Sequence, residues 1–361
     1  MAVPKCIGFV GWRGMVGKII LRRLLSSDQP KFKAILFSSS RLGSIVIQST
    51  QYQIRRTDQL KLLVKCFMIL ASQGSLLTGE LLTKLRKGNW KGYWIDAASF
   101  LRNKKSAVIV LDPTNHQILR EEVGLGIKSF VGGNCTVSLL LMAVGDAFRR
   151  GLVKKLLVTT FQSVSGAGIK AVSNFLERAG NKNPNLDVEV ALDNTERAGN
   201  CSLSSVTPWI DSNTRKFGTT KEELKGMLEL PKLLRGHISK VAFSSICVRV
   251  GVLRCHSQSI FLRLEDEHPT ISWLSDALQS SHRWLKLIPN LKSPTVRFLI
   301  PTQVSRTFAV LVGRIKRATA HFISAFTIGD QLFWGAAEPI VRIVKIICST
   351  RTSLEGVAHQ N

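Results

Sequence analysis

Near its start the chain reads Cys6-Ile7-Gly8-Phe9-Val10-Gly11-Trp12-Arg13-Gly14-Met15-Val16-Gly17. Five residues of strand character are followed by glycine at every third position and then by the apolar spacing of a helix, Val16 to Leu25. Glycine lets the backbone turn sharply and leaves room for a ligand to approach. A helix N-terminus directly behind such a turn offers free amides and the positive end of a dipole to an anion. A glycine ladder is weak evidence alone, but between a strand and a helix it points to a dinucleotide pyrophosphate rather than to a plain tight turn.

Working outward, short apolar runs alternate with helical patterns: Lys33 to Phe37, Cys66 to Ala71, Glu80 to Arg86, Tyr93 to Ala97 and Ala107 to Leu111. That alternation predicts an α/β domain with a mostly parallel sheet and crossover helices. From Cys135 onward the pattern changes to a helix (Val137 to Arg150), a strand (Leu156 to Gln162), a helix (Ile169 to Arg178) and a polar segment over 181–219. Two β-rich runs follow, Ser244 to Val252 and Ser257 to Leu264, so the second domain reads as α+β. An apolar helix from Gln331 to Ile347 is expected to pack back on the first domain, with Ser349 to Asn361 as a frayed tail.

The end of the second strand bears on the type of dinucleotide. An NAD site places a carboxylate there, on the ribose hydroxyl. This chain has Ser38-Ser39-Ser40-Arg41, with no acidic residue between Asp28 and Asp58. Hydroxyls beside a guanidinium suit a 2′-phosphate, so NADP is favoured over NAD.

Chemistry enters at Phe130-Val131-Gly132-Gly133-Asn134-Cys135-Thr136-Val137-Ser138, where a cysteine sits at a strand-to-helix turn. Helix N-terminal amides favour anionic sulfur there. An isolated cysteine is more often a small core hydrophobe. His256, in Arg254-Cys255-His256 between the two β-rich runs, could be an ordinary core histidine. Thiol, imidazole and NADP site together nevertheless suggest an acylating aldehyde dehydrogenase working through a thioester.

Composition bounds the alternatives. The 361 residues carry 45% hydrophobic and 20% charged content, an ordinary folded chain long enough for two domains. The sequence shows no apolar stretch of membrane-spanning length and no signal-peptide pattern at its start, so a cytoplasmic location is expected. Seven scattered cysteines without a Cys-x-x-Cys pair argue against a disulfide framework and a zinc site. The formal charge of +26, from 50 Lys and Arg against 24 Asp and Glu, would attract anions. Because the basic residues come in scattered twos and threes, without a nucleic-acid-binding motif, nucleic acid is not the expected partner.

Five stretches together resemble aspartate-semialdehyde dehydrogenase of the Gram-negative bacterial type: Gly8 to Gly17, Trp94 to Arg102 (WIDAASFLR), Val131 to Ser138 (VGGNCTVS), Val248 to Gln258 (VRVGVLRCHSQ) and Ser324 to Pro339 (SAFTIGDQLFWGAAEP). The resemblance covers nearly the whole chain. It implies an NADP-binding Rossmann-like domain over 1–133, with about 338–361 packing back on it, and a catalytic and dimerisation domain over 134–337 in a homodimer. The implied reaction converts aspartyl-4-phosphate to aspartate 4-semialdehyde, in lysine, threonine and methionine biosynthesis.

The resemblance also implies site residues. Cys135 is the nucleophile, His256 the acid/base and Gln162 the group orienting the acyl intermediate. Arg249 binds the substrate carboxylate and Glu229 its ammonium, while Arg102, Lys232 and Asn134 form the phosphate set. Cofactor contacts fall on Gly11, Trp12, Arg13, Gly14, Met15, Val16, Ser38, Ser39, Ser40, Arg41, Gln73, Ser165, Gly166 and Gln331. Pro231, between Glu229 and Lys232, is expected to disturb the helix and displace their spacing. The competing readings are a degraded enzyme that retains anion binding, and N-acetyl-glutamyl-phosphate reductase. Glu229 disfavours the reductase, since an acetylated nitrogen needs no carboxylate partner.

Overall fold

The computed structural model describes residues 6–25, 33–40, 42–178, 206–214, 218–235, 241–264 and 271–358. Arg41 and most of the polar segment over 181–219 lie outside them. Two compact units divide the chain, Met1–Gly133 with Ala336–Asn361, and Asn134–Gly335.

The first unit holds an eight-stranded sheet: β1 (Cys6–Val10), β2 (Lys33–Ser38), β3 (Gly43–Ile47), β4 (Thr50–Arg56), β5 (Met68–Ala71), β6 (Tyr93–Asp96), β7 (Val108–Val110) and β8 (Ser129–Gly132), in the order β3-β4-β2-β1-β5-β6-β8-β7. Every pairing is parallel except the β3–β4 hairpin at one edge. From β1 the chain runs outward on one side and returns at β5 on the other. The crevice at the carboxyl ends of β1 and β5 is therefore the switch point where such sheets bind ligands. Ile7, Phe9, Leu36, Met68, Leu70 and Ile95 fill the sheet's core, joined by Ile340, Val341 and Val344 of the last helix.

That last helix differs from the expected one. It spans Glu338–Ala358, following a wide turn over Phe333–Ala337, and runs on through the stretch expected to fray. Its start is fastened by charge: Glu338 accepts from Arg342 and Arg23, and Arg342 also pairs with Asp112 of the Asp112–Gly124 helix. An acid in the first turn of a helix complements its dipole.

The second unit is built on a seven-stranded mixed sheet: β9 (Val153–Gln162), β10 (Val206–Thr207), β11 (Ala242–Val250), β12 (His256–Leu264), β13 (Leu285–Leu287), β14 (Val310–Arg317) and β15 (Phe322–Gly329), in the order β10-β11-β9-β12-β15-β14-β13. The Cys135–Arg149 helix packs against it, with Leu139, Leu140, Leu141, Met142 and Val144 all buried. Asp330, wholly buried after β15, pairs with Arg254 at 2.8 Å and accepts the backbone N–H of Arg306 and of Leu332. Replacing Asp330 with alanine strands a buried guanidinium. Chemical denaturation should record a loss of about 3 to 5 kcal/mol.

Candidate active site

In the first unit, the glycine turn closes on the loop after β5. Gly11 has φ +84°, and a Cβ there would lie 2.7 Å from the Ser72 carbonyl carbon, so only glycine fits. Ser72 Oγ donates to the Gly11 carbonyl at 2.9 Å and pins the turn. No side chain caps the Met15–Leu24 helix at Gly14, which leaves its first amides open toward a cavity of about 160 Å³. Gly11, Trp12, Arg13, Gly14, Ser38 and Gln73 line it, along with Phe37 and Ser72. Arg13 Nη2 donates to Ser40 Oγ at 2.6 Å, bringing a guanidinium from the glycine loop to the serine loop. Met15 is buried in the helix's first turn and Val16 follows it half-buried. Open amides, a cradle that a Cβ would fill and a cation at the serine loop all fit a phosphorylated dinucleotide. Arg102, also in this unit, donates from Nε to the Gly132 carbonyl at 2.8 Å.

In the second unit, Cys135 is the first residue of its helix. Asn134 is the N-cap, its Oδ1 accepting from the backbone N–H of Thr136 (3.0 Å) and of Val137 (3.2 Å). Beside Cys135, Gly335 leaves no room for a side chain: a Cβ would sit 2.7 Å from the Cys135 Cβ. Cys135 Sγ lies 3.3 Å from His256 Nε2. His256 is fully buried at the first position of β12, and its Nδ1 receives the Ser163 backbone N–H at 3.0 Å. Burial, with the Arg249 guanidinium second, pushes the imidazole down to about 3. Arg249 donates to the Ser163 carbonyl at 2.6 Å. Gly166 admits both side chains, since a Cβ there would meet the His256 and Arg249 rims at 2.9 and 3.0 Å.

A left-handed backbone aims the histidine. Cys255 has φ +77°, uncommon for a residue with a side chain, and its N–H is held by Gln331 Oε1 at 2.8 Å. Gln331 Nε2 meanwhile donates to Ser165 Oγ at 2.5 Å. Both ends of the Gln331 amide are thus engaged inside this unit, supporting the turn before His256. Burial pushes the Cys255 thiol up and that of Cys247 up to about 11, so neither is an activated nucleophile.

The Lys221–Leu234 helix supplies the carboxylates. It opens with a capping box of Thr220 and Glu223 and runs through Pro231 without a break. The expected displacement of Glu229 and Lys232 does not occur. Pro231 lies in the last turn, and the residue four before it, Met227, is on the exposed face. Glu229, buried, accepts the Asn134 backbone N–H at 2.6 Å. Burial lowers the affinity of Lys232 for its proton, and the Glu229 charge works against that.

Glu222, one helical face and two turns before Glu229, escaped the sequence reading. Its Oε1 accepts from Asn134 Nδ2 at 2.9 Å and from Gln162 Nε2 at 3.2 Å, and its Oε2 pairs with Lys225 at 2.5 Å. Burial alone would raise its carboxyl, but the Lys225 charge and the amide donors outweigh that and hold it below the usual carboxylate range. Asn134 therefore spends its side chain on the helix cap and on Glu222, and acts here on the position of Cys135. The available signal was the spacing of seven between two glutamates in a helix starting at a capping box.

A thiol at a helix N-terminus against a buried imidazole, in a chain whose other unit is a doubly wound dinucleotide fold, defines a thiol-dependent dehydrogenase. Residues 146–334 match the dimerisation domain of semialdehyde dehydrogenase, and residues 6–122 match the semialdehyde dehydrogenase NAD binding domain. The chain belongs to the semialdehyde dehydrogenase family. Aspartate semialdehyde dehydrogenase from Francisella tularensis is 34% identical, with 95% of this chain and 99% of that one covered and a TM-score of 0.84. At 18% identity, two others share the fold. One is aspartate semialdehyde dehydrogenase II from Vibrio cholerae, complexed with ASA (96% and 99% covered, TM-score 0.77). The other is aspartate semialdehyde dehydrogenase with NADP from Candida albicans (96% and 98% covered, TM-score 0.68).

Proposed function

We propose that this chain catalyses the reversible, NADP-dependent reductive dephosphorylation of L-aspartyl-4-phosphate to L-aspartate 4-semialdehyde, through a thioacyl intermediate on Cys135. The observation that carries the reading is the Cys135–His256 pair, 3.3 Å apart at the N-terminus of a buried helix. The thiolate attacks the acyl carbon and displaces phosphate. When bound, the dinucleotide supplies the hydride that reduces the acyl group to the aldehyde. Gln162 orients the acyl group from the end of β9, held there by Glu222.

The substrate's three charges match the residues on hand. Arg249 is assigned to its carboxylate, Glu229 to its ammonium, and Arg102 with Lys232 to its phosphate. A buried carboxylate at Glu229 has no purpose toward an acetylated nitrogen, which sets the N-acetyl-glutamyl-phosphate reductase reading aside. One face of the second sheet leaves Leu157, Ile246 and Phe261 exposed on neighbouring strands, an apolar surface suited to a second copy in a homodimer. A labile acyl phosphate and a reduced dinucleotide as reactants support a cytoplasmic location for this reaction, and among the described residues no helix is long and apolar enough to cross a membrane.

The test is NADPH absorbance on mixing the protein with aspartate 4-semialdehyde and NADP, with and without phosphate. Phosphate-dependent NADPH formation is the expected result, and silence from a folded protein that still binds NADP would promote the degraded-enzyme reading. For cofactor choice, Arg13→Ala should weaken NADP binding by about 2 kcal/mol while sparing NAD. Equal losses for the two dinucleotides in fluorescence titrations would count against a 2′-phosphate at the Arg13–Ser40 pair.

A further inference from the structure

We propose that Cys6 and Cys66 form an oxidisable dithiol, which hydrogen peroxide converts to a reversible disulfide stapling β1 to the segment that enters β5. The pair lies in the first unit and takes no part in the reaction proposed above. The seven cysteines show no framework pattern in the sequence, yet the fold brings these two, 60 positions apart, to a sulfur–sulfur separation of 3.8 Å.

The backbone favours closure of the bond. Cys6 opens β1, Cys66 comes two residues before β5, and the two strands run side by side with Ile7 opposite Met68. Neighbouring strands about 4.8 Å apart, with one residue of stagger, bring Cα atoms to about 6 Å, a separation a disulfide favours. The Phe67 N–H ties the two segments by donating to the Cys6 carbonyl at 3.1 Å. Cys66 is held from the other side, where its carbonyl accepts Trp90 Nε1 at 2.9 Å. Room for its sulfur comes from Gly8, the first member of the glycine ladder, which does not line the dinucleotide cavity. A Cβ at Gly8 would meet Cys66 Sγ at 3.1 Å. Cys6 is half-buried and Cys66 fully buried, so a small oxidant meets Cys6 first.

The two sulfurs divide the work. The hydrogen bond from Cys66 and, against the opposing effect of burial, the Lys33 charge hold the Cys6 thiol down to about 7. The hydrogen bond to Cys6, burial and the Cys6 charge push the Cys66 thiol up. Cys6 therefore supplies the attacking thiolate. Its sulfur bonds to one oxygen of the peroxide, the oxygen–oxygen bond breaks, and hydroxide leaves a sulfenic acid on Cys6. The anion that kept the proton on Cys66 is then gone. The Cys66 sulfur bonds to the Cys6 sulfur, and its proton departs with the sulfenic oxygen as water. Two electrons have passed from the thiols to the peroxide. A dithiol reductant reopens the bond by exchange, and in a reducing compartment such a disulfide is transient.

The experiment exposes the full chain to a molar excess of hydrogen peroxide, alkylates the remaining thiols and maps the cysteine peptides by mass spectrometry. A Cys6–Cys66 disulfide within one chain, reopened by dithiothreitol, is the expected result. Recovery of both as alkylated thiols, a disulfide between chains, or Cys6 driven to sulfinic acid would each overturn the inference. Cys66→Ser keeps a donor beside Cys6 but cannot close the bond, so dimedone should capture Cys6 as its sulfenic acid. Cys6→Ser should leave Cys66 reduced at the same dose. No capture in the first variant, or oxidation of Cys66 in the second, would refute Cys6 as the attacking thiol.

Discussion

Cys135→Ala is expected to abolish phosphate-dependent turnover, by about 10⁴-fold or more, the scale on which removal of a covalent nucleophile is felt. No other thiol among the described residues of the second unit can take its place. Cys247 and Cys255 are buried with raised thiols, and neither is at a helix N-terminus. The variant should fold, because Asn134 caps the helix through its own side chain and keeps both amide partners whatever follows it. Alanine also fits beside Gly335, since the Cβ is already there. NADP affinity should stay within about twofold, the glycine cradle and the Arg13–Ser40 pair belonging to the other unit. Steady-state turnover measured beside a dinucleotide titration separates the two effects. Undiminished turnover in the alanine variant would end the covalent mechanism.

The residues that were legible in the sequence share a property: their function is tied to a local pattern. Gly11 and Gly14 announce themselves by period and by their place after a strand. Cys135 does so by following a glycine pair at a helix start. His256 stood out only in combination with the thiol and the NADP site, and Arg249 needed the family resemblance, because a buried polar residue on a strand looks the same whether it serves chemistry or packing. What stayed hidden were the long-range partners. Glu222 meets Asn134 across 88 positions of sequence, and Ser163 meets His256 across 93, so no window of local pattern contains either pair. Pro231 misled in the opposite sense. Its cost inside a helix is real, but it depends on where the helix ends, and this helix ends three residues later at Leu234.

Glu222→Ala should damage stability and activity together, although the residue is assigned no contact with substrate. It leaves Asn134 Nδ2 and Gln162 Nε2 without their shared acceptor, and Lys225 without its closer carboxylate. Removing one member of a buried charged cluster destabilises by about 3 kcal/mol, more than the worth of the hydrogen bonds themselves, because the remaining polar groups stay buried. The activity loss should fall on kcat more than on KM, since Gln162 and the Asn134 cap set the acyl group and the sulfur rather than bind substrate charge. Glu222→Gln is the informative partner. Its amide oxygen can still take both donors at the Oε1 position, so only the Lys225 ion pair is lost. The sign of the pH dependence follows from the depressed carboxyl. A carboxylate whose folded value lies below its unfolded one, about 4.3, stabilises the fold above that pH and loses the contribution as pH falls through the folded value. The wild-type advantage over Glu222→Gln should therefore be full at neutral pH and shrink under acid. Denaturant unfolding of the three proteins at pH 7 and near pH 4 reads both claims, and alanine and glutamine variants of equal stability and kcat would show that Glu222 does not organise the site.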